Sequence, residues 1–538
     1  MMVDNFGVKD GPLVSVLIPT YNRPLYLRAA LESVVRQDYS NLEIFVIRDG
    51  GDDVRDVVES FDDARIVFID RKANRGIPFT LNEALARARG KYICYLGDDD
   101  LYYSHHVGTL VNALENETYC GVAYGDLYRT YCRIQPDGAR EILSKVLDVS
   151  RDFDRFVMLY FNHTLHVSLM HRRDLLEKIG PYNEQLNVLI DWDLTRRLCF
   201  FSDFHHVQEI TGEYYSPIGD SDRVSVRRRR DEKEYLRNVI TIRTTRPAKP
   251  WPKIKDVSII FVTEQLNQAA GKTLASIWRH TFYPYELYLP LSQRDSERLD
   301  ADMPNVRPVL VDCGASETAK VDAALVRCGG EYTAVTPSGF PIREFWLEES
   351  LYALIESSPA GAWAGKPGGG QSSGGREGFE LEDSTDELWA VVLRTEDLRD
   401  ARRRFAGMSI RESLCAAGIK IRRVQPNEIP FQLDQLVCQA KSLGEEGSWA
   451  EAGRVFESTV ERYGNELWMK SRAAEAFYKA GEFEKAGELA REVNEKKPTV
   501  DTLLLEARLH RAGKDFDGSI ALLEEAERIL GGKELVWK

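Results

Sequence analysis

GKYICYLGDDDLY, at residues 90–102, is the stretch that most constrains the fold of this chain. Residues 92–96 form an apolar run too short for a core helix and rich in aromatic side chains, so we predict a buried strand. Three aspartates at residues 98–100 follow where this strand leaves the sheet. They fit either a solvated turn that caps the next helix or a site for a hard divalent cation with phosphate oxygens. The neighbouring segments decide between these two roles.

Length and composition place the chain among globular proteins with several domains. Its 538 residues are 43% hydrophobic and 10% aromatic, which does not favour disorder. The formal net charge of -14 argues against a general nucleic-acid binder. The eight cysteines include no CxxC pair, so we expect neither a zinc site nor a disulfide framework. No signal-peptide core or apolar stretch of membrane-spanning length is found, and we expect a cytoplasmic protein with no transmembrane segment.

Strands alternate with helices along residues 13–89. The predicted strands are residues 13–19, 42–47 and 64–69, and the predicted helices are residues 25–37, 52–61 and 80–89. Such alternation predicts an α/β, Rossmann-like fold with a mostly parallel sheet, whose ligands bind beyond the carboxyl ends of the strands. We therefore expect Thr20, Tyr21, Asp49 and the aspartates of residues 98–100 to converge on one crevice.

Four short motifs occur in order along this region. They are PTYNR at residues 19–23, RDGG at residues 48–51, NRG at residues 74–76 and LGDDD at residues 96–100. Together they resemble the successive motifs of family 2 glycosyltransferases of the GT-A fold, over roughly the first 215 residues. The resemblance implies a site for a nucleotide diphosphate sugar, of the UDP or dTDP type.

The same resemblance implies a role for each motif residue. Thr20 and Tyr21 would lie at the nucleobase pocket, and Asp49 would accept a hydrogen bond from a base N–H. Asp98 would hold the ribose, and Asp99 would bind Mn2+ or Mg2+.

Two positions depart from the family pattern. Arg48 stands where members often have a second aspartate, and Leu81 stands where an arginine is usual. The phosphate contact must then come from elsewhere, and Arg75 is one candidate. For Arg48 and Arg75, a solvated loop arginine is the alternative to a functional one.

The acceptor side is predicted from NVLIDWDL at residues 187–194, which we interpret as a turn entering a helix. In the resembling family an acidic pair before a tryptophan opens this helix, and its second member is the catalytic base. Asp191, ahead of Trp192, occupies that place, Ile190 replaces the preceding acid, and Asp193 is the second choice. A helix N-cap is the alternative role for Asp191.

Other polar residues are candidates for the acceptor pocket or for a loop over the donor. His163 and His166 come just before a strand predicted at residues 167–170, and with Trp192 they are candidates for lining the pocket. The basic run at residues 227–230 is either a solvated charge run or a loop that closes over the donor diphosphate.

The chain contains a second copy of its own beginning. VSIIFVT at residues 257–263 repeats VSVLIPT at residues 14–20, and the segment starting at residue 324 repeats the one starting at residue 84. In this copy Asp49, Asp98 and Asp99 are replaced by Ser292, Ser338 and Gly339. We therefore predict a second GT-A-like domain that has lost catalysis, with a mobile loop in its Gly- and Ser-rich residues 361–378.

A helical period appears in the last hundred or so residues. Trp449, Phe483 and Phe516 recur at spacings of 34 and 33 residues within a segment rich in Ala, Glu, Leu and Lys. This resembles tetratricopeptide repeats, an all-α helical-repeat solenoid whose concave surface would bind a protein partner or a second copy of the chain. A generic helical bundle is the alternative.

These observations predict three domains and one reaction. The domains are a catalytic GT-A domain at residues 1–246, a degenerate GT-A-like domain at residues 253–430 and helical repeats at residues 433–538. The reaction is metal-dependent, inverting transfer of a sugar to a hydroxyl acceptor on a glycan or protein. A scaffold with inert GT-A-like domains is one alternative. A nucleotidyltransferase is the other, although PTYNR offers no glycine-rich phosphate loop.

Overall fold

The computed structural model divides the chain into two compact units. It describes residues 11–148, 151–218, 232–299, 305–340, 342, 345–356, 362–364, 390–423, 440, 443–444, 447–463 and 467–529. One unit comprises Met1–Lys249 and Gln432–Lys538, and the other is Pro250–Phe431. The basic run at residues 227–230 lies outside the described residues, as does most of the segment at residues 361–378.

The first unit contains a mixed sheet with helices on its faces. Its strands are β1 (Val14–Thr20), β2 (Leu42–Asp49), β3 (Ile66–Arg71), β4 (Tyr92–Tyr95), β5 (Leu101–Tyr102), β6 (Cys120–Ile134), β7 (Arg140–Asp148), β8 (Leu169–Arg172) and β9 (Asp203–Pro217). Its helices described before residue 250 are α1 (Pro24–Val35), α2 (Arg55–Glu59), α3 (Ile77–Leu85), α4 (His106–Asn116), α5 (Arg155–Tyr160), α6 (Leu175–Ile179), α7 (Ile190–Leu198) and α8 (Glu232–Thr244).

Strand order explains why polar residues from distant positions meet. In the described residues the order is β3-β2-β1-β4-β8-β6-β9-β5, with β7 paired to β6. β1 is parallel to both β2 and β4, so the carboxyl ends of these three strands lie side by side. α1 packs Leu27, Leu31 and Val34 into the core that β1 shares. The α/β fold prediction is confirmed.

The strand predicted at residues 167–170 begins later, at Leu169, after a 3-10 turn at His166–Ser168. β6 runs to Ile134, and its polar residues Asp126 and Thr130 are fully buried and hydrogen-bonded within the sheet. Buried polar groups of this kind hide a strand from a hydrophobicity pattern.

The second unit contains its own sheet. Its strands are β10 (Val257–Val262), β11 (Glu286–Leu291), β12 (Val306–Leu310), β13 (Tyr332–Pro337), β14 (Ala362–Ala364), β15 (Val391–Arg394) and β16 (Ile421–Arg423). Its helices are α9 (Gln268–His280), α10 (Gln293–Ser296), α11 (Glu317–Leu325), α12 (Trp346–Glu356), α13 (Thr395–Arg404) and α14 (Ile410–Ala416).

The sequence repeat reappears as a repeat of strand register. The second sheet begins β12-β11-β10-β13, the counterpart of β3-β2-β1-β4. Ser15 pairs with Glu43 in the first unit, and Ser258 pairs with Glu286 in the second. In both copies a glycine N–H donates to this serine hydroxyl: Gly90 at 3.0 Å and Gly330 at 3.1 Å. The two sheets therefore share their starting topology.

Five helices of the first unit are described within residues 449–529. They are α15 (Trp449–Tyr463), α16 (Leu467–Lys479), α17 (Phe483–Lys496), α18 (Val500–Ala512) and α19 (Phe516–Ile529). Small residues such as Ala474, Ala486 and Ala490 are fully buried where these helices pack closely around Phe477. The C-terminal helical region is confirmed, whereas its assignment as tetratricopeptide repeats stays a prediction. Every helix within the described ranges is too short or too polar to cross a lipid bilayer.

The C-terminal helices contact the sheet that carries β6 and β7. Asp126 on β6 is fully buried and binds the ammonium group of Lys497 and, at 2.7 Å, Nε2 of His206. The Tyr128 hydroxyl donates to the Pro498 carbonyl at 3.1 Å. A buried carboxylate thus depends on a cation supplied from more than three hundred residues along the chain.

We expect Lys497→Met to lower the free energy of unfolding by about 3 kcal/mol, because it leaves the buried Asp126 carboxylate without its cation. Lys496→Met is the matched control, since Lys496 is half-exposed and lies 3.6 Å from Glu492 within its own helix. It should change stability by less than about 0.5 kcal/mol. Denaturant unfolding measures both, and equal losses would contradict a stabilising role for the buried pair.

Candidate active site

Residues from the ends of β1 and β4 are hydrogen-bonded to each other. The Thr20 hydroxyl donates to Oδ2 of Asp98 at 2.9 Å, and the Tyr21 N–H donates to the same oxygen at 3.4 Å. Thr20 and Asp98 are buried, whereas the Tyr21 side chain is 47% exposed. The structure thus brings the PTYNR loop and the first of the three aspartates together, with one aromatic ring left accessible.

Arg23 is a further member of this group and was missed from the sequence. Its Nη1 lies 3.3 Å from Oδ1 of Asp98 and 2.8 Å from Oδ2 of Asp99. Burial raises the pKa of Asp98, and the Asp99 charge raises it further, while Arg23 and the Thr20 hydroxyl act against this rise. Arg23 therefore offsets the repulsion between two adjacent carboxylates. The position of Arg23 within the PTYNR motif was the sequence signal that could have identified it.

Asp100 has a different role from its two neighbours. It is buried, and its Oδ1 accepts a hydrogen bond at 3.0 Å from the backbone N–H of Tyr215. Its own N–H donates to the Gly97 carbonyl at 3.2 Å, which closes the turn after β4. Asp100 thereby fastens β9 to this turn.

Asp49, at the end of β2, is surrounded by donors. Its Oδ1 accepts from the Arg75 N–H at 2.9 Å and from Nη1 of Arg71 at 2.8 Å, and its Oδ2 accepts from the Gly76 N–H at 2.8 Å. Nη1 of Arg71 also donates to the Thr80 hydroxyl at 2.9 Å. Sequence reasoning missed Arg71, because only the pairing of β2 with β3 places it opposite Asp49.

The two glycines of the RDGG motif allow three loops to meet. Both have left-handed φ angles, +76° at Gly50 and +70° at Gly51. A Cβ at Gly51 would lie 1.9 Å from Oδ1 of Asn22, and one at Gly50 would lie 2.8 Å from the Asn74 nitrogen. The PTYNR and NRG loops therefore pack against bare backbone, which only glycine provides here.

Arg48 and Arg75 differ in their surroundings. Arg48 is buried, and its Nη1 binds Oδ1 of Asp70 at 2.9 Å, so the solvated alternative is wrong for Arg48. Arg75 is exposed, and its guanidinium carbon lies 3.6 Å from the ring centroid of Phe79. Leu81 is 1% exposed, so this position contributes to the core.

Asp191 lies in the first turn of α7. Nδ2 of Asn162 donates to its Oδ2 at 2.9 Å, and the Trp192 N–H donates to its Oδ1 at 2.9 Å. Burial raises the pKa of Asp191, and these two hydrogen bonds act against the rise. The N-cap alternative is wrong, because Leu189 holds that position, with a left-handed φ of 60°. Such strain is typical of functional segments.

The two residues after Asp191 belong to the protein core. Trp192 is 3% exposed, and its Nε1 donates to the Met158 carbonyl at 2.9 Å. Asp193 is 1% exposed, and its Oδ2 accepts from Nε and Nη2 of Arg197 at 3.0 and 2.7 Å. The structure does not bring either side chain to the crevice.

The two candidate histidines also differ from each other. His166 stacks on Tyr95 with the ring centroids 4.7 Å apart, and its Nε2 lies 3.1 Å from the Tyr182 hydroxyl. His163 is buried near Tyr124 and Phe153, and neither of its ring nitrogens has a hydrogen-bond partner within the described residues. Burial lowers the pKa of His163 well below its ordinary value. His163 is therefore a neutral core residue.

A divalent cation fits the chemistry of Asp98 and Asp99. Carboxylate oxygens are the ligands that Mg2+ and Mn2+ prefer, and Mg2+ is commonly held by one or two carboxylates together with substrate phosphates. In the described part of the chain, no cluster of three or more acidic, histidine or cysteine side chains could hold a metal ion. A cation at Asp99 would thus take its remaining ligands from phosphate and water.

This region resembles known proteins. Residues 15–174 match the model of glycosyl transferase family 2. The match runs from β1 to the residue before α6 and includes all four motifs around the crevice. Asp191 lies beyond the end of the matched region.

Individual proteins resemble part of the chain. An uncharacterized glycosyltransferase of Rickettsia prowazekii is 31% identical over 207 residues, which are 37% of this chain and 62% of that protein. A PGL/p-HBAD biosynthesis glycosyltransferase of Mycobacterium bovis is 29% identical over 194 residues, 35% of this chain and 70% of that protein. The crystal structure of S. aureus TarS 1-349 is 19% identical, with a TM-score of 0.33, over 43% of this chain and 65% of that one.

We expect Gly51→Ala to lower the free energy of unfolding by about 3 kcal/mol, from the strain of a left-handed alanine and the clash with Asn22. Gly481→Ala is the matched control, because Gly481 has a φ of +83° and a Cβ there would meet nothing within 4 Å. It should cost only the strain, about 1 kcal/mol. Denaturant unfolding compares the two, and equal losses would contradict the close approach of the loops.

Proposed function

We propose that the first unit is a glycosyltransferase that moves a sugar from a nucleotide diphosphate sugar to a hydroxyl acceptor on a glycan or protein. The observation that carries the proposal is the position of Thr20, Asp49, Asp98 and Asp99 at the adjoining ends of three strands, within the family 2 match. The carboxyl ends of such strands are where nucleotides bind in open α/β sheets.

The hydrogen bonds of Asp49 support a UDP or dTDP donor. An ionised carboxylate has about four acceptor positions, and three of these are filled by Arg71, Arg75 and Gly76. One position remains, on Oδ2. It matches the single imide N–H of uracil or thymine, whereas guanine presents an N–H and an adjacent amino group that need two acceptors. The exposed ring of Tyr21 is available to stack on the base.

The diphosphate would lie near Asp99. In this proposal Asp98 holds the ribose, and Asp99 holds Mn2+ or Mg2+, which supplies positive charge to the departing diphosphate when it is bound. Arg23 already contacts both carboxylates, and Arg75 is the exposed cation on the Asp49 side. These two arginines replace the one that the family places at Leu81.

Asp191 is the proposed catalytic base. The acceptor oxygen attacks the anomeric carbon, its proton passes to Asp191, and the bond to the diphosphate oxygen breaks with the electron pair on the leaving group. A single displacement of this kind inverts the anomeric configuration. The raised pKa of Asp191 supports the assignment, because a base is most effective when its pKa approaches the working pH.

The second unit, in our proposal, has lost catalysis. At the place equivalent to Asp49, Ser292 caps α10 by accepting a hydrogen bond from the Asp295 N–H. At the place equivalent to the aspartates, Ser338 and Gly339 form a turn in which Gly339 has a φ of +86°. Neither serine nor glycine offers a carboxylate for a metal ion. The C-terminal helices are proposed to bind a protein partner or a second copy of the chain.

We expect UDP or dTDP, at about 100 times its Kd, to stabilise the protein by about 2.7 kcal/mol. GDP at the same concentration should stabilise it much less, because Asp49 has one free acceptor position.

Manganese should add to the stabilisation by UDP, and Asp99→Asn should remove that addition, whereas Asp62→Asn at an exposed turn should not. Thermal unfolding measures all of these, and a protein that no nucleotide stabilises would favour a scaffold instead.

We expect Asp191→Asn to reduce sugar transfer by at least about 100-fold, because the amide cannot take the acceptor proton. The affinity for UDP should stay unchanged, since Asp191 does not contact the donor residues described above. Turnover with a UDP-sugar and calorimetric titration with UDP provide the two measurements. Retained turnover would contradict the assignment of the base.

A further inference from the structure

Asn162 occupies a distinctive position beside the proposed base. It lies between α5 and the 3-10 turn, and its Nδ2 is 2.9 Å from Oδ2 of Asp191. The other oxygen of Asp191 is bound by the backbone N–H of Trp192. Asn162 is thus the side chain that fixes the orientation of the Asp191 carboxylate about its χ2 angle.

The orientation of the Asn162 amide is itself determined by its surroundings. Its Oδ1 accepts a hydrogen bond from the Thr164 N–H at 3.2 Å and from the Thr195 hydroxyl at 3.1 Å, which shares its single proton with the Asp191 carbonyl at 3.0 Å. A flipped amide would place its NH2 group against the Thr164 N–H, which can only donate. The NH2 group therefore has to point at Asp191. Thr195 belongs to the same helix as Asp191, so both ends of the Asn162 amide are hydrogen-bonded to this one helix.

We propose that Asn162 is the positioning residue for Asp191, holding the base in its ionised form and in one rotamer. This inference rests on the proposed function. A carboxylate that is removed from water tends to take up a proton, and a donated N–H opposes this by stabilising the charged form. Asn162 supplies that N–H without adding a charge of its own.

The other charged and titratable groups around Asp191 do not supply this effect. Tyr182 is the neighbouring titratable group, and burial raises its pKa well above the ordinary value, so it stays neutral. His166 bonds to Tyr182, and burial lowers its pKa to about 3. On α7, Asp193 and Arg197 pair with each other, and Arg196 donates to backbone carbonyls. Asn162 therefore remains as the side-chain group that favours the ionised base.

The sign of the pH effect follows from this chemistry. A base has to be ionised to accept a proton, so kcat/KM falls as the pH drops below the pKa of Asp191. Removing the N–H donor raises that pKa, and the acid limb of the profile moves to higher pH. Asn162→Asp should move it further than Asn162→Ala, because two carboxyl groups in contact cannot both ionise.

The test is the pH dependence of transfer in the full chain, with UDP-sugar turnover as the readout. We expect Asn162→Ala to lower kcat by about 10- to 100-fold with the donor KM unchanged, and to move the acid limb up by about one pH unit. Asn162→Asp, which is isosteric, should give the larger shift. Asn116→Asp is the matched control, because Asn116 is exposed at the end of α4. It should keep the profile of the unmodified protein.

Two results separate the possible failures. If Asp191→Asn abolishes transfer while both Asn162 variants keep the original pH profile, the positioning role is wrong and the proposed base stands. If Asp191→Asn retains turnover, the proposed base is wrong. UDP affinity and thermal unfolding show whether each variant is folded. Thr195→Val removes one hydrogen bond to Asn162 and should move the acid limb to higher pH by a smaller amount than Asn162→Ala.

Discussion

A buried carboxylate, Asp98, is the constraint on which the crevice beyond the ends of β1 and β4 depends. An aspartate loses hydration when it is buried at the end of β4, and hydrogen bonds and positive charge must replace that hydration. The Thr20 hydroxyl and the Arg23 guanidinium provide both. The parallel pairing of β1 with β4 brings these groups within reach. The order of strands in the sheet therefore determines which of these side chains meet.

The duplicated sheet separates what the fold requires from what the site requires. The serine at Ser15 and Ser258, and the glycine that binds it, recur in both units with nearly the same hydrogen-bond length. These residues hold two parallel strands together. Asp98 and Asp99 do not recur, although a turn follows β4 and β13 at equivalent residues, 98–99 and 338–339. The carboxylates are therefore not needed to form this turn, which supports a chemical role for them in the first unit.

Several features of the site were predictable and others were not. Residues that follow a strand directly, such as Thr20 and Asp49, could be placed because the carboxyl ends of parallel strands meet. Arg71 could not, because its role depends on the register of β3 against β2. Asn162 and Asp191 are 29 residues apart and meet only through the packing of α5 against α7. Asp193 has the same residue type as Asp191, but its side chain points into the core.

The amino-acid sequence by itself determined the alternation of strands and helices, the internal repeat and the four motifs at the strand ends. These are local or periodic features, and hydrophobic patterns and short motifs record them directly. The tertiary structure alone decided which charged groups neutralise each other, that Asp193 pairs with Arg197 while Asp191 meets Asn162, and where Lys497 binds. Those outcomes depend on contacts between segments that are distant in the chain, and burial makes each such contact a matter of several kcal/mol.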